Sequence, residues 1–174
     1  MTSDTKASAW PWSIVQIISG GQTGADRAGL DWAIDHGINH GGWCPQGRLA
    51  ADGCIDARYN LVETQSSGYR QRTRRNIESS DATLIFTLGP LEGGSLLTYT
   101  LAKKLAKPFL VYQLATNDDS QLRNVQDWLT EKSPGVINIA GPSESRSPGI
   151  YQTVYDSLDC LLMGNIRKSA AIPL

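Results

Sequence analysis

Apolar residues along the chain fall into short continuous blocks, and the stretches between them repeat at helical spacing. The first block, Ile14-Val15-Gln16-Ile17-Ile18, reads as a strand and runs straight into Ser19-Gly20-Gly21-Gln22-Thr23-Gly24. From about Gly24 to His36, Leu30, Ala33 and Ile34 share one stripe, which predicts an amphipathic helix with Asp26 on the same face one turn earlier. Gly37 supplies the stop, and Gly42-Trp43-Cys44 reads as a short second strand. Residues 45–68 are rich in Gly, Asp, Ser and Thr. Leu49, Ile55, Tyr59, Leu61 and Val62 within this long loop argue that it is packed down rather than loose. A basic helix follows from Tyr69 to Ser79. The strongest buried-strand signal is Ala82-Thr83-Leu84-Ile85-Phe86-Thr87-Leu88, followed by a second glycine turn and a helix carrying Leu97, Leu101 and Leu105. Pro108-Phe109-Leu110-Val111-Tyr112 and Val136-Ile137-Asn138-Ile139-Ala140 are the fourth and fifth strands, each leading to a helix, from about Ser120 to Lys132 and through Tyr151, Val154, Leu158, Leu161 and Leu162.

Strands that are apolar throughout and alternate with helices mean a parallel sheet covered on both faces. The class is α/β, a single doubly wound domain with a parallel five-stranded sheet flanked by helices. Its simplest strand order is 2-1-3-4-5. In such a sheet the ligand sits beyond the carboxyl ends of the strands where the order reverses, here expected between the first and third strands. Those two strands carry the two glycine turns. The expected organisation is a flexible N-terminus at 1–12, one ligand-binding domain at 13–166 and a C-terminal tail at 167–174.

Composition narrows the function by exclusion. With 174 residues, 40% hydrophobic and 19% charged, the chain suits one domain with a sizeable core. A net charge of -1 gives no overall attraction to nucleic acid or an anionic membrane. No apolar run is long enough to span a bilayer, and the polar start lacks the pattern of a secretory signal. Cys44, Cys54 and Cys160 leave one thiol over after any pairing and make no Cys-x-x-Cys spacing, which fits a reducing cytoplasm. His36 and His40 flank the helix stop, so no protein-ligated metal is expected.

The candidate chemistry lies in the glycine turns. Paired glycines let the chain reverse sharply and bring backbone N–H groups close to a ligand, and the helix that follows adds free donors and a positive dipole end. Thr23 and Asp26 also read as a Thr-x-x-Asp capping box, which would explain both without a ligand. The absence of lysine from the turn excludes a Walker A loop, and Gly20-Gly21-x-x-Gly24 is not the dinucleotide pattern. Gly93-Gly94-Ser95 opens the later helix in the same manner, with Ser95 either a ligand donor or an N-cap. On the basic helix, Tyr69, Thr73, Asn76, Ile77 and Ser80 share one face and Arg72 flanks it. Arg70, Arg74 and Arg75 point away as a solvated surface.

From about Ile14 to Leu162 the chain resembles the molybdenum cofactor carrier family of the Rossmann-like group, which also holds lysine-decarboxylase-like phosphoribohydrolases. The resemblance rests on Gly20-Gly21-Gln22-Thr23-Gly24-Ala25-Asp26, Cys44-Pro45 with Gly47-Arg48, Asp52-Gly53, Tyr59, Glu63-Thr64, Arg72-Thr73 with Asn76, Ser80-Asp81-Ala82-Thr83, Gly93-Gly94-Ser95 with Thr98, and Ala140-Gly141-Pro142 with Pro148-Gly149-Ile150-Tyr151. The chain departs from the family pattern at Ala51, where that pattern is acidic, and at Ser143, where it is basic.

The resemblance implies a homo-oligomer, dimer or tetramer, that binds molybdenum cofactor (molybdopterin), a phosphorylated pterin, as a cytoplasmic carrier or store without catalysis. The implied binding residues are Gly20, Gly21, Gln22, Thr23, Gly24, Asp26, Arg72, Thr73, Asn76, Gly93, Gly94, Ser95 and Thr98, with the loop at 45–68 as a lid. The broader expectation is a small phosphorylated pterin or nucleotide-like ligand. The alternatives are a nucleotide phosphoribohydrolase-like enzyme and a nucleotide sensor. In the related hydrolases a catalytic glutamate stands three residues after the turn's threonine, and this chain has Thr98 there. A hydroxyl does not replace a carboxylate as acid or base near neutral pH.

Overall fold

The structure, a computed structural model, describes residues 11–116 and 118–163. The expected flexible segment at 1–12 lies almost wholly outside the described residues, and the expected tail at 167–174 lies wholly outside them. In chain order the elements are β1 (Gln16–Ile18), α1 (Ala25–Asp35), β2 (Asn39–Gly41), β3 (Trp43–Cys44), β4 (Leu49–Ala50), β5 (Gly53–Cys54), β6 (Val62–Glu63), α2 (Tyr69–Ser79), β7 (Ala82–Thr87), α3 (Gly93–Lys104), β8 (Phe109–Gln113), α4 (Asp119–Lys132), β9 (Val136–Ala140) and α5 (Ile150–Met163). Five of the strands form one sheet in the order β2-β1-β9-β7-β8, every pairing parallel.

The α/β doubly wound class read from the strand pattern is therefore the observed one. β7 is buried at all six positions. Helices α1, α4 and α5 close one face over Trp32, Leu129, Ile139, Val154 and Leu158. Helices α2 and α3 close the other over Ile77, Leu101 and Ala102. No helix among the described residues is long and apolar enough to cross a membrane.

Two expectations are corrected. The strand order is not 2-1-3-4-5 in chain order, because β9 enters between β1 and β7, with Ile17 and Ala82 both in register with Ile137. The Asn138 amide donates to the Thr83 hydroxyl at 3.3 Å, which seats β9 in the buried centre. Numbered from β7, through β8 and β9 and then on to β1 and β2, the same sheet reads 2-1-3-4-5. The chain runs outward from β7 to β8 and returns to the other side of β7, so the reversal lies between β7 and β9. The glycine turns after β1 and β7 consequently flank a third strand end, Ala140-Gly141-Pro142.

The second correction concerns residues 39–44. The strand beside β1 is the polar Asn39–Gly41, and the chain leaves the sheet at Gly42, whose φ of 126° suits glycine. Trp43–Cys44 pairs instead with Val62–Glu63 in a small parallel sheet, and β4 and β5 form a hairpin.

The long loop is packed down, with Ile55, Tyr59 and Leu61 buried against Leu30 and Cys44, although Leu49 and Val62 are exposed. Arg48 organises it by donating to four backbone carbonyls, those of Ile55, Asp56, Tyr59 and Leu61. Lysine has the charge but not the planar five-donor fork. Arg48→Lys should therefore cost about 1.5–3 kcal/mol, the worth of a hydrogen bond to a charged group. Urea denaturation with limited proteolysis checks this, and an unchanged midpoint without new cleavage between residues 45 and 68 would refute it.

Candidate functional site

Beyond the carboxyl ends of β1, β9 and β7 lies a cavity of about 760 Å³. Of the thirteen residues expected to bind, Gln22, Asp26, Arg72, Thr73, Gly93, Gly94, Ser95 and Thr98 line it. Gly20, Gly21, Thr23, Gly24 and Asn76 stand behind the wall, and each has a visible structural task. The Asn76 amide grips the backbone of Trp43 at both ends, accepting from its N–H at 2.8 Å and donating to its carbonyl at 2.9 Å. Gly21 has a φ of 75°, and a Cβ there would meet Leu61 Cδ1 at 2.6 Å. Gly20 has no Cβ to occupy the place of the Arg72 guanidinium.

In and after the first glycine turn three donors are spent within the protein. Gln22 N–H donates to the Asp26 carboxylate at 3.2 Å, Thr23 N–H to Gln22 Oε1 at 2.9 Å, and Ala25 N–H to the Pro142 carbonyl at 3.1 Å. The capping-box reading is not realised, because the N-cap of α1 is Gly24 and Thr23 bonds to Gln22. The second turn places its glycines inside the helix start itself. Glu92 occupies the N-cap of α3 without a side-chain bond, and its carbonyl accepts from Ser95 and Leu96 N–H. Gly93 and Gly94 N–H have no acceptor among the described residues, which leaves two donors at a helix N-terminus facing the cavity. Ser95 is thus not an N-cap but a buried residue of the first helical turn, and the Thr98 hydroxyl donates to the Gly94 carbonyl at 2.9 Å.

Asp26 and Arg72 form the charged floor. The Asp26 carboxylate stands 3.0 Å from Arg72 Nη1, with side-chain exposures of only 5% and 14%. Burial pushes the Asp26 carboxyl above the usual range, while Arg72, the Gln22 N–H and the Ser19 hydroxyl pull it down. Arg72 Nε is buried without a hydrogen-bond partner, so this guanidinium has unspent donor capacity. Arg72 is the inward-turned arginine of α2, as the helical spacing indicated, whereas Arg70, Arg74 and Arg75 are exposed.

Gln22 ties the rim together. Its Oε1 also accepts from Ala51 N–H at 2.9 Å, and its Nε2 donates to the Tyr69 hydroxyl at 3.3 Å. Arg27 holds the hairpin tip through a paired bond to Asp52. The hairpin of the long loop thereby roofs the Asp26 side of the cavity.

Sequence reasoning missed the far wall. Ser143, Ser145, Arg146 and Ser147 line the cavity because β9 is central, and Arg146 has no ion-pair partner among the described residues. Arg146 rests against Gly93 at the start of α3. A charged residue in a Ser/Gly/Pro turn after an apolar strand was the available signal. Tyr69 and Glu92 also border the cavity. No group of three His, Cys, Asp or Glu among the described residues is placed to hold a metal ion.

Residues 17–162 match a family model described as the circularly permutated YpsA SLOG family. The permutation accords with a sheet whose order is regular only when numbered from β7. A solved structure, that of a "putative molybdenum carrier protein" from Syntrophus aciditrophicus SB, is 44% identical, with a TM-score of 0.83 over 86% of this chain and 96% of that one. No curated protein matches.

Proposed function

We propose that this chain, which belongs to the circularly permutated YpsA SLOG family, binds a phosphorylated pterin or nucleotide-like ligand and serves as a molybdenum cofactor carrier or store without catalysis. The observation that carries this reading is the cavity's donor set. Gly93 and Gly94 N–H, the Arg72 guanidinium, and Arg146, which has no ion-pair partner among the described residues, make a site rich in donors for anions. The solved relative's name supports molybdenum cofactor as the cargo. A phosphate fits these donors, and the thirteen residues named above divide between those that touch the ligand and those that hold the touching ones in place.

The chemistry of the carboxylates supports a carrier. Asp26 is engaged by Arg72 and by Gln22 N–H, and Thr98 in the second turn of α3 offers only a hydroxyl already bonded to Gly94. Proton transfer by a positioned group is typically worth about 10²–10⁴-fold, and these residues do not supply it. Glu92, a carboxylate at the cavity without an ion-pair partner among the described residues, favours the hydrolase alternative and is the group its test must address. The reading includes a cytoplasmic homo-oligomer.

Thermal unfolding with phosphorylated and dephosphorylated pterins and nucleosides tests it. At about 100 times its dissociation constant a ligand adds roughly 2.7 kcal/mol, so the phosphorylated forms should raise the midpoint by several degrees and the dephosphorylated ones little. Mass spectrometry of material released from anaerobically purified protein should yield the pterin. Equal shifts for both forms would refute the anion site. Release of base from a nucleoside monophosphate, lost in Glu92→Gln, would replace the carrier by an enzyme.

A further inference from the structure

We propose that Tyr69 is a stacking platform for the planar heterocycle of the ligand, so that the cavity selects a phosphorylated heterocycle over a phosphorylated sugar. The inference rests on the proposed function and adds the residue that would recognise the uncharged part of the ligand. Tyr69 is the one aromatic residue among those lining the cavity. It is 47% exposed, an unusual state for a large ring beside a concave site.

Its position is fixed before any ligand arrives. The ring is carried by the first residue of α2, and the hydroxyl accepts from Gln22 Nε2 at 3.3 Å. The Gln22 amide is itself oriented by Thr23 and Ala51 N–H, which occupy its oxygen. The Arg72 guanidinium lies over the ring, 5.8 Å from its centroid, and is held there by Asp26. A ring restrained at its tip and against a fixed cation loses little freedom when a second ring stacks on it, which is the condition under which stacking contributes most to affinity. The cavity, at about 760 Å³, is within the range that accepts a nucleotide-sized ligand, and Tyr69 lines it together with the anion donors Gly93 and Gly94.

The experiment is calorimetric titration of the full chain with GMP, whose guanine shares the aminopyrimidinone ring of a pterin, and with ribose 5-phosphate. The wild type should bind GMP about 5- to 150-fold more tightly, the range that stacking on an aromatic side chain provides. Tyr69→Leu should reduce GMP affinity to that of ribose 5-phosphate without changing the latter, and Tyr69→Phe should retain the preference. Equal affinities in the wild type, or a full preference in Tyr69→Leu, would overturn the platform while leaving the anion site standing. Failure of the wild type to bind either probe would overturn the proposed function and this inference with it.

Discussion

Gly20→Ala should weaken the response to phosphorylated ligands and, by parting Arg72 from Asp26, lower the stability of a domain that still folds. The φ of Gly20 lies outside the left-handed region, so alanine is permitted there, but its Cβ would overlap the Arg72 guanidinium at Nη1, Cζ and Nε. The obstacle is the far end of a long side chain, which yields by swinging away from Asp26 and out of the cavity wall. The ligand then loses a charge-assisted bond of about 1.5–3 kcal/mol, roughly 10- to 150-fold in dissociation constant. Calorimetric titration with a phosphorylated ligand, alongside circular dichroism to confirm the fold, measures this. An alanine variant that binds like the wild type would remove Arg72 from the site. Gly21 gives no such test, since its φ of 75° and its contact with Leu61 make any side chain there a folding defect.

The second large effect is an asymmetry within the buried pair. Arg72→Ala strands a carboxylate that is almost inaccessible to water, and breaking such a pair costs about 3–5 kcal/mol. Asp26→Asn removes the more deeply buried charge, keeps an acceptor for Gln22 N–H, and leaves Arg72 able to hydrate from the cavity it lines, so its cost should be much smaller. Acidity separates the two further. The Asp26 pKa is already raised by burial, and removing Arg72 raises it again, because the positive charge that opposed burial is gone. A raised folded pKa means that the native state holds a proton which the unfolded state has released. This contribution to stability is full below the carboxylate's ordinary value and is lost as pH rises through the folded one. Relative to wild type, Arg72→Ala should therefore be weakest near neutral pH and recover as pH falls, whereas Asp26→Asn should show no such recovery. Denaturation midpoints measured from pH 5 to 8 decide it, and equal, pH-independent losses in both variants would exclude the account.

The places where the sequence proved readable share a physical cause. Ala82–Thr87 announces itself because both faces of the strand are covered, which leaves no polar position to blur the signal. Arg72 was legible as the inward arginine because helical spacing fixes direction before any neighbour is known. Asn39–Gly41 was not legible, since an edge strand needs no apolar run. Strand neighbours escape periodicity altogether: nothing in Val136–Ala140 states that it lies between β1 and β7, and so the Ser143–Ser147 wall with Arg146 went unseen. Gln22 was picked out as a ligand contact, yet its clasp on Ala51 and Tyr69 joins residues far apart in the chain, which only the fold brings together.

The central place of β9 also governs how the molecule can be assembled during synthesis. Within the main sheet β1 has only β2 and β9 beside it, and β7 has only β8 and β9. A growing chain that has reached β8 therefore carries two parallel strand pairs, each with one inner edge still unpaired, and no hydrogen-bonded strand contact joins them. Both edges are closed by the same five residues, and α5 then packs against α1, the first helix made. The wall carrying Arg146 joins Asp26 on one side and Gly93 and Gly94 on the other only in that late event. A nascent chain therefore completes the cavity only once Ser147 has left the ribosome, and β9 is the one strand through which the two pairs of the main sheet are hydrogen-bonded together.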